Sequence, residues 1–165
     1  MVIMRENLVV VGVDDSSTAR AALEWAADYA RMTDYRLVAV HVRMPEVPAY
    51  LYTPQPTEQE LADTETYRHV RLMFEGLDPE NDWRLIRLTG RPGEELVKQS
   101  ERAVLLVIGT QDHIGLHRWL ESSVSQYCLR HSTVPVLCYP NPKRHQTQSL
   151  EQVDVAVPAG SVKGR

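Results

Sequence analysis

Cysteine is scarce in this sequence, two in 165 residues, and no apolar run approaches the length of a bilayer span. Cys128 and Cys138 lie in apolar surroundings, without a Cys-x-x-Cys pattern or a nearby cluster of His. They read as reduced core thiols, which fits a reducing cytosol. The first apolar stretch, Leu8 to Val13, is too short for a membrane span or a secretory core, and Arg5 and Glu6 precede it directly. Clustered positive charge is also missing: 18 Lys plus Arg stand against 22 Asp plus Glu, a formal charge of -4, and no basic run exceeds Lys143-Arg144. That disfavours nucleic acid as a main partner, because phosphate affinity rests on clustered Lys and Arg. The expectation is a soluble, cytoplasmic chain without membrane contact.

Five short apolar runs rich in β-branched residues are present: Leu8 to Val13, Leu37 to Val42, Trp83 to Leu88, Val104 to Ile108 and Val134 to Tyr139. Runs of that length suit strands covered on both faces. Between them the period becomes helical, with Ala19, Ala22, Leu23, Ala26 and Ala30 on one stripe and Val70, Met73, Phe74 and Leu77 on another, after a polar stretch from Glu58. Shorter helices are expected from Gly93 to about Arg102 and from Ser123 to about His131. Strands alternating with helices imply an α/β fold, an open parallel sheet with helices on both faces. The third run alternates and keeps Arg84 and Arg87, the pattern of a half-exposed edge.

Met44 to Pro56 carries four prolines among tyrosines and reads as a long loop. Asn141 to Arg165 is polar apart from Val153 to Val157 and reads as a flexible tail. No repeat is present. One domain over residues 1–140 and a tail over 141–165 is the expected organisation.

In open α/β sheets ligands bind beyond the carboxyl ends of the strands, where strand order reverses. If the first strand lies beside the fourth, Val13-Asp14-Asp15-Ser16 meets Ile108-Gly109-Thr110-Gln111 there. Asp14 is suited to a ribose hydroxyl or an adenine amino group, but equally to a turn before a helix capped by Ser16 or Ser17. Gly109, Asp112 and Gly115 lead to Ser122, Ser123, Val124 and Ser125, a loop feeding a helix N-terminus. Such a loop favours an anion, although a simple serine cap fits the spacing as well. His113 to His117 differs from the His-x-Gly-His signature of nucleotidyl transfer by one residue and follows the wrong strand, and Asp112, His113 and His117 lack a fourth zinc ligand. His41, inside an apolar strand, reads as a satisfied core histidine, and no Ser, His and Asp set suggests a hydrolase.

Together these residues resemble the universal stress protein family over about Leu8 to Tyr139. The resemblance is carried by VVVGVDDSSTARAALEWAADYA, AVHV, TGRPGEELV and VIGTQDHIGLHRWLESSVSQYCLRHSTVPVLCYP, the last aligning without gaps on the family's Gly-x2-Gly-x9-Gly-(Ser/Thr) nucleotide motif. It implies a Rossmann-like sheet of order 3-2-1-4-5. It further implies an ATP site, with adenine and ribose near Val13, Asp14, Val42 and Ile108 and phosphates near Gly109, Asp112, Ser122, Ser123, Val124 and Ser125. A homodimer through the last strand, Val134 to Tyr139, follows from the same resemblance, as does a stress-response regulatory role with an unidentified protein partner. Here Asp112 and Ser122 replace the second and third motif glycines. Two like charges about 4 Å apart at an effective dielectric of 20 repel by roughly 4 kcal/mol. Asp112 therefore opposes a phosphate unless magnesium bridges the two. The expected function is an adenine-nucleotide sensor without fast turnover; the alternatives are a nucleotide-free scaffold and a slow nucleotide hydrolase.

Overall fold

A computed structural model describes residues 5–44, 58–80, 82–110 and 123–140. Most of the proline-rich loop, the segment from Gln111 to Ser122 and the tail from Asn141 lie outside the described residues. The elements run in the order β1 (Leu8–Gly12), α1 (Ser17–Thr33), β2 (Arg36–Arg43), α2 (Glu58–Glu75), β3 (Arg84–Thr89), α3 (Pro92–Ser100), β4 (Leu105–Gly109), α4 (Ser123–His131) and β5 (Val136–Tyr139). All the strand pairs are parallel, in the order β3-β2-β1-β4-β5. The expected doubly wound topology is therefore the observed one.

Strand β1 is the axis of the sheet, pairing with β2 from Leu8 to Gly12 and with β4 from Val9 to Gly12. Its alternation feeds two cores. Val9 and Val11 join the alanines of α1 and Val70, Met73 and Phe74 of α2 on one face. Val10 joins Leu96 of α3 and Cys128 of α4 on the other. The run of small residues Ala19, Ala22, Ala26, Ala27 and Ala30, each at most 4% exposed, lets α1 lie close against the strands. Ser16 caps that helix by accepting from the Ala19 N–H at 3.1 Å, and Asp34 ends it in the left-handed region at φ 57°.

The outer strands depart slightly from the sequence reading. β3 is the half-exposed edge expected from its arginines, but it begins at Arg84, because the Trp83 N–H is already committed to the Glu80 carbonyl. β5 begins at Val136, two residues later than its apolar run. The reason is local: the Val134 N–H donates to the Ser132 hydroxyl, which donates in turn to the Val134 carbonyl, so that residue closes a turn instead of opening a ladder. Among the described residues no helix is long and apolar enough to cross a membrane.

Two strand-end glycines serve packing to different degrees. A Cβ on Gly109 would lie 2.8 Å from the carbonyl carbon and oxygen of Thr18 and 2.9 Å from the Ala19 nitrogen, all backbone. A Cβ on Gly12 would meet the tip of Leu96 at 2.9 Å, which a rotamer change relieves. Gly109→Ala is therefore expected to destabilise by about 1–3 kcal/mol through overpacking, and Gly12→Ala by less. Thermal unfolding of the two variants checks the ranking.

Candidate nucleotide site

Beyond Gly12 the first strand leaves the sheet. Its last bond to β2 runs from the Val13 N–H to the Val40 carbonyl at 2.9 Å. Backbone groups alternate sides along a strand, so residues 36, 38, 40 and 42 of β2 all face β1. At Val42 that neighbour is gone, and the backbone N–H and C=O of Val42 point into the gap. On the other side of the gap stand Ile108 and Gly109, the end of β4.

The gap is a cavity of about 340 Å³. Val13, Asp14, Val42, Ile108, Gly109, Val124 and Ser125 line it, seven of the ten positions expected from the sequence. Ser123 opens α4 beside them. Asp112 and Ser122 lie outside the described residues. The strand order thus brings together segments almost a hundred residues apart. Ser16, the end of the segment expected at the switch point, lines the cavity too; Thr18, Pro92 and Leu96 also line it, and the sequence reading did not place them in the site. The Pro-Gly-Glu-Glu start of α3 was a usable signal, since Pro at the first helical turn followed by acids marks a helix N-terminus directed at the same end of the sheet.

Two kinds of surface meet in this cavity. Val40, Val42, Leu96, Ile108 and Val124 supply apolar walls. The first turns of α1, α3 and α4 supply helix N-termini, whose dipoles favour negative charge. Asp14 is exposed, and its Oδ1 accepts from the Ser16 N–H at 2.9 Å. The turn reading of Asp14 therefore holds, and Asp14 also lines the cavity. His41 is 6% exposed with Nδ1 3.0 Å from the Val13 carbonyl, a satisfied core histidine as expected.

A shallower hollow of about 450 Å³ between α2 and β3 is lined by Asp78, Pro79, Glu80 and Asp82. Its three carboxylates oppose a phosphate. Among the described residues no group of three His, Cys, Asp or Glu could hold a metal.

The universal stress protein family model matches residues 7–140, most of the chain and all five strands. The chain belongs to the universal stress protein family. It is 31% identical over 141 residues to the universal stress protein Rv2623 of Mycobacterium tuberculosis, covering 78% of this chain and 46% of that one. The chain thus spans about half the length of the curated relatives it matches. A solved universal stress protein in complex with cAMP superposes with a TM-score of 0.59 at 22% identity, covering 80% of this chain and 94% of that one. The universal stress protein from Archaeoglobus fulgidus in complex with dAMP superposes with a TM-score of 0.54 at 21% identity, over 84% and 99% of the two chains. At those identities the likeness establishes a common fold.

Behind the α4 wall of this universal stress protein domain sits Cys128, fully buried, its Sγ 3.9 Å from the Gly93 carbonyl. Burial, and then the neighbouring Cys138, push its thiol up to about 11 from an ordinary 9.0. The folded chain therefore holds this proton more tightly than the unfolded one, so the associated stability is complete below pH 9 and is lost as pH rises toward 11. Cys128→Ala is expected to flatten the fall in unfolding free energy between those two pH values, as read by denaturant titration at each pH.

Proposed function

We propose that this universal stress protein domain is a regulatory module that binds an adenine nucleotide without fast turnover. The observation that carries this reading is the split between β1 and β4, where an open strand backbone at Val42 and convergent helix N-termini face one cavity. Adenine presents an amino donor beside a ring-nitrogen acceptor, and the C=O and N–H of one extended residue complement that pair. The apolar walls at Ile108 and Leu96 receive the faces of the base, Asp14 accepts from a ribose hydroxyl, and Gly109 and the start of α4 meet the phosphate. The cAMP and dAMP complexes of structurally similar proteins support the same ligand class.

A single phosphate suits the described part of the site. Further phosphates, as in ATP, would fall to the motif position that carries Asp112 in this chain instead of glycine. Magnesium bridging Asp112 to a triphosphate would turn that repulsion into an attraction. The same module is proposed to act as a homodimer paired through β5, whose outer edge has no neighbour among the described strands.

Calorimetric titration with AMP and with ATP, each with and without magnesium, tests the reading. Saturable heat with AMP is expected, and Asp112→Gly is expected to strengthen magnesium-free ATP binding several-fold, about 1 kcal/mol of relieved repulsion. Absence of heat from demonstrably folded protein overturns nucleotide binding and leaves a nucleotide-free scaffold. Sedimentation at a monomer mass overturns the dimer.

A further inference from the structure

We infer that His41 is a positioning residue for the nucleotide site, its Nδ1–H holding the Val13 carbonyl so that the backbone amide of Val42 stays open to the ligand. The inference rests on the nucleotide reading of the cavity and adds a residue that does not itself line it.

The register defines what His41 replaces. The Val13 N–H donates to the Val40 carbonyl, as the ladder requires. The next bond of a parallel ladder would run from the Val42 N–H to the Val13 carbonyl. Instead, that carbonyl lies 3.0 Å from His41 Nδ1. A carbonyl oxygen only accepts, so Nδ1 carries a proton and donates it to Val13. The side chain thus caps β1 at the point where the strand must leave the sheet. Both backbone polar groups of Val13 are then satisfied, and the Val42 N–H is left without its ladder acceptor, facing the cavity.

The ring is held for this task. His41 is 6% exposed, and its centroid lies 5.7 Å from that of Tyr67 on α2. Tyr67 in turn carries the Arg87 guanidinium 4.7 Å from its own centroid. From Val13 the order passes to Asp14, whose carboxylate accepts from the Ser16 N–H, and Ser16 caps α1. One hydrogen bond from beneath the sheet therefore governs the start of the whole ligand-facing turn.

The test compares His41→Phe and His41→Leu, which remove the donor, with His41→Asn, whose side-chain amide can restore it. Thermal unfolding establishes which variants are folded, and AMP is the titrant. Loss of the donor is expected to weaken AMP about five-fold or more, the scale of one hydrogen bond, while His41→Asn stays within about two-fold of the native chain. Native affinity in a folded donorless variant overturns the inference, and so does equal weakening in all three. A native chain that binds no AMP refutes the nucleotide reading, and amide hydrogen exchange at Val42 then decides the positioning role. Slower exchange at Val42 in a donorless variant than in the native chain upholds it, because the released Val13 carbonyl has taken up the ladder bond. Unchanged exchange there overturns it.

Discussion

The pairing of β1 with both β2 and β4 is the constraint on which the rest of the molecule depends. Val9, Val10 and Val11 have no solvent exposure, so this strand can exist only with a neighbour on each side and a helical layer on each face. Its right-handed crossover through α1 leads to β2, while the crossover through α3 brings β4 to its other side. The two connections leave on opposite faces. A crevice therefore opens at the carboxyl end between β1 and β4, and the cavity is a geometric consequence of the fold before any side chain is chosen for binding.

That origin changes how the motif glycines are read. Gly109 is the one motif glycine that this chain keeps, and the backbone of Thr18 and Ala19 already forbids a Cβ there. Its presence follows from the seating of α1 on β4 and carries no weight as a sign of a bound phosphate. The positions that would carry such weight are 112 and 122, and both have changed. The case for a ligand therefore rests on features a packing argument does not demand: the Val42 backbone, without a ladder partner among the described residues, the apolar walls and the shared direction of several helix N-termini.

Strand order and helix placement were legible because each apolar run is short, β-branched and followed by a helical period, and a parallel α/β arrangement leaves few ways to order such units. The edge character of β3 could be read from Arg84 and Arg87 alone. The start of β5 could not, since Ser132 diverts the Val134 backbone through a side-chain contact that hydropathy does not register. The site was legible wherever a residue sits at a strand end, as with Val13, Asp14, Ile108 and Gly109. Leu96 and Pro92 are harder to read because they reach the cavity from α3, whose contact with β1 comes from the crossover between β3 and β4 and not from the spacing of its own residues. His41 looked like a core residue and is one. Its bearing on the site comes from register, which a single sequence does not contain.

The two edges of the sheet are treated differently, and the difference bears on association. β3 is guarded by Arg84 and Arg87, a device that discourages strand addition. β5 has only Val136, Leu137, Cys138 and Tyr139, all half-buried and none charged at neutral pH. Pro135 looks like an obstacle there, but the Leu106 N–H donates to the Pro135 carbonyl, which sets the inward-facing residues of β5 as 135, 137 and 139. The missing proline donor therefore falls on the β4 side. The outward groups belong to Val136 and Cys138, whose N–H and C=O meet no partner among the described strands, until Pro140 ends the ladder on that side. An edge uncharged along its length and intact in its outward donors fits the proposed pairing with a second copy, which would cover the half-exposed Cys138 together with its backbone.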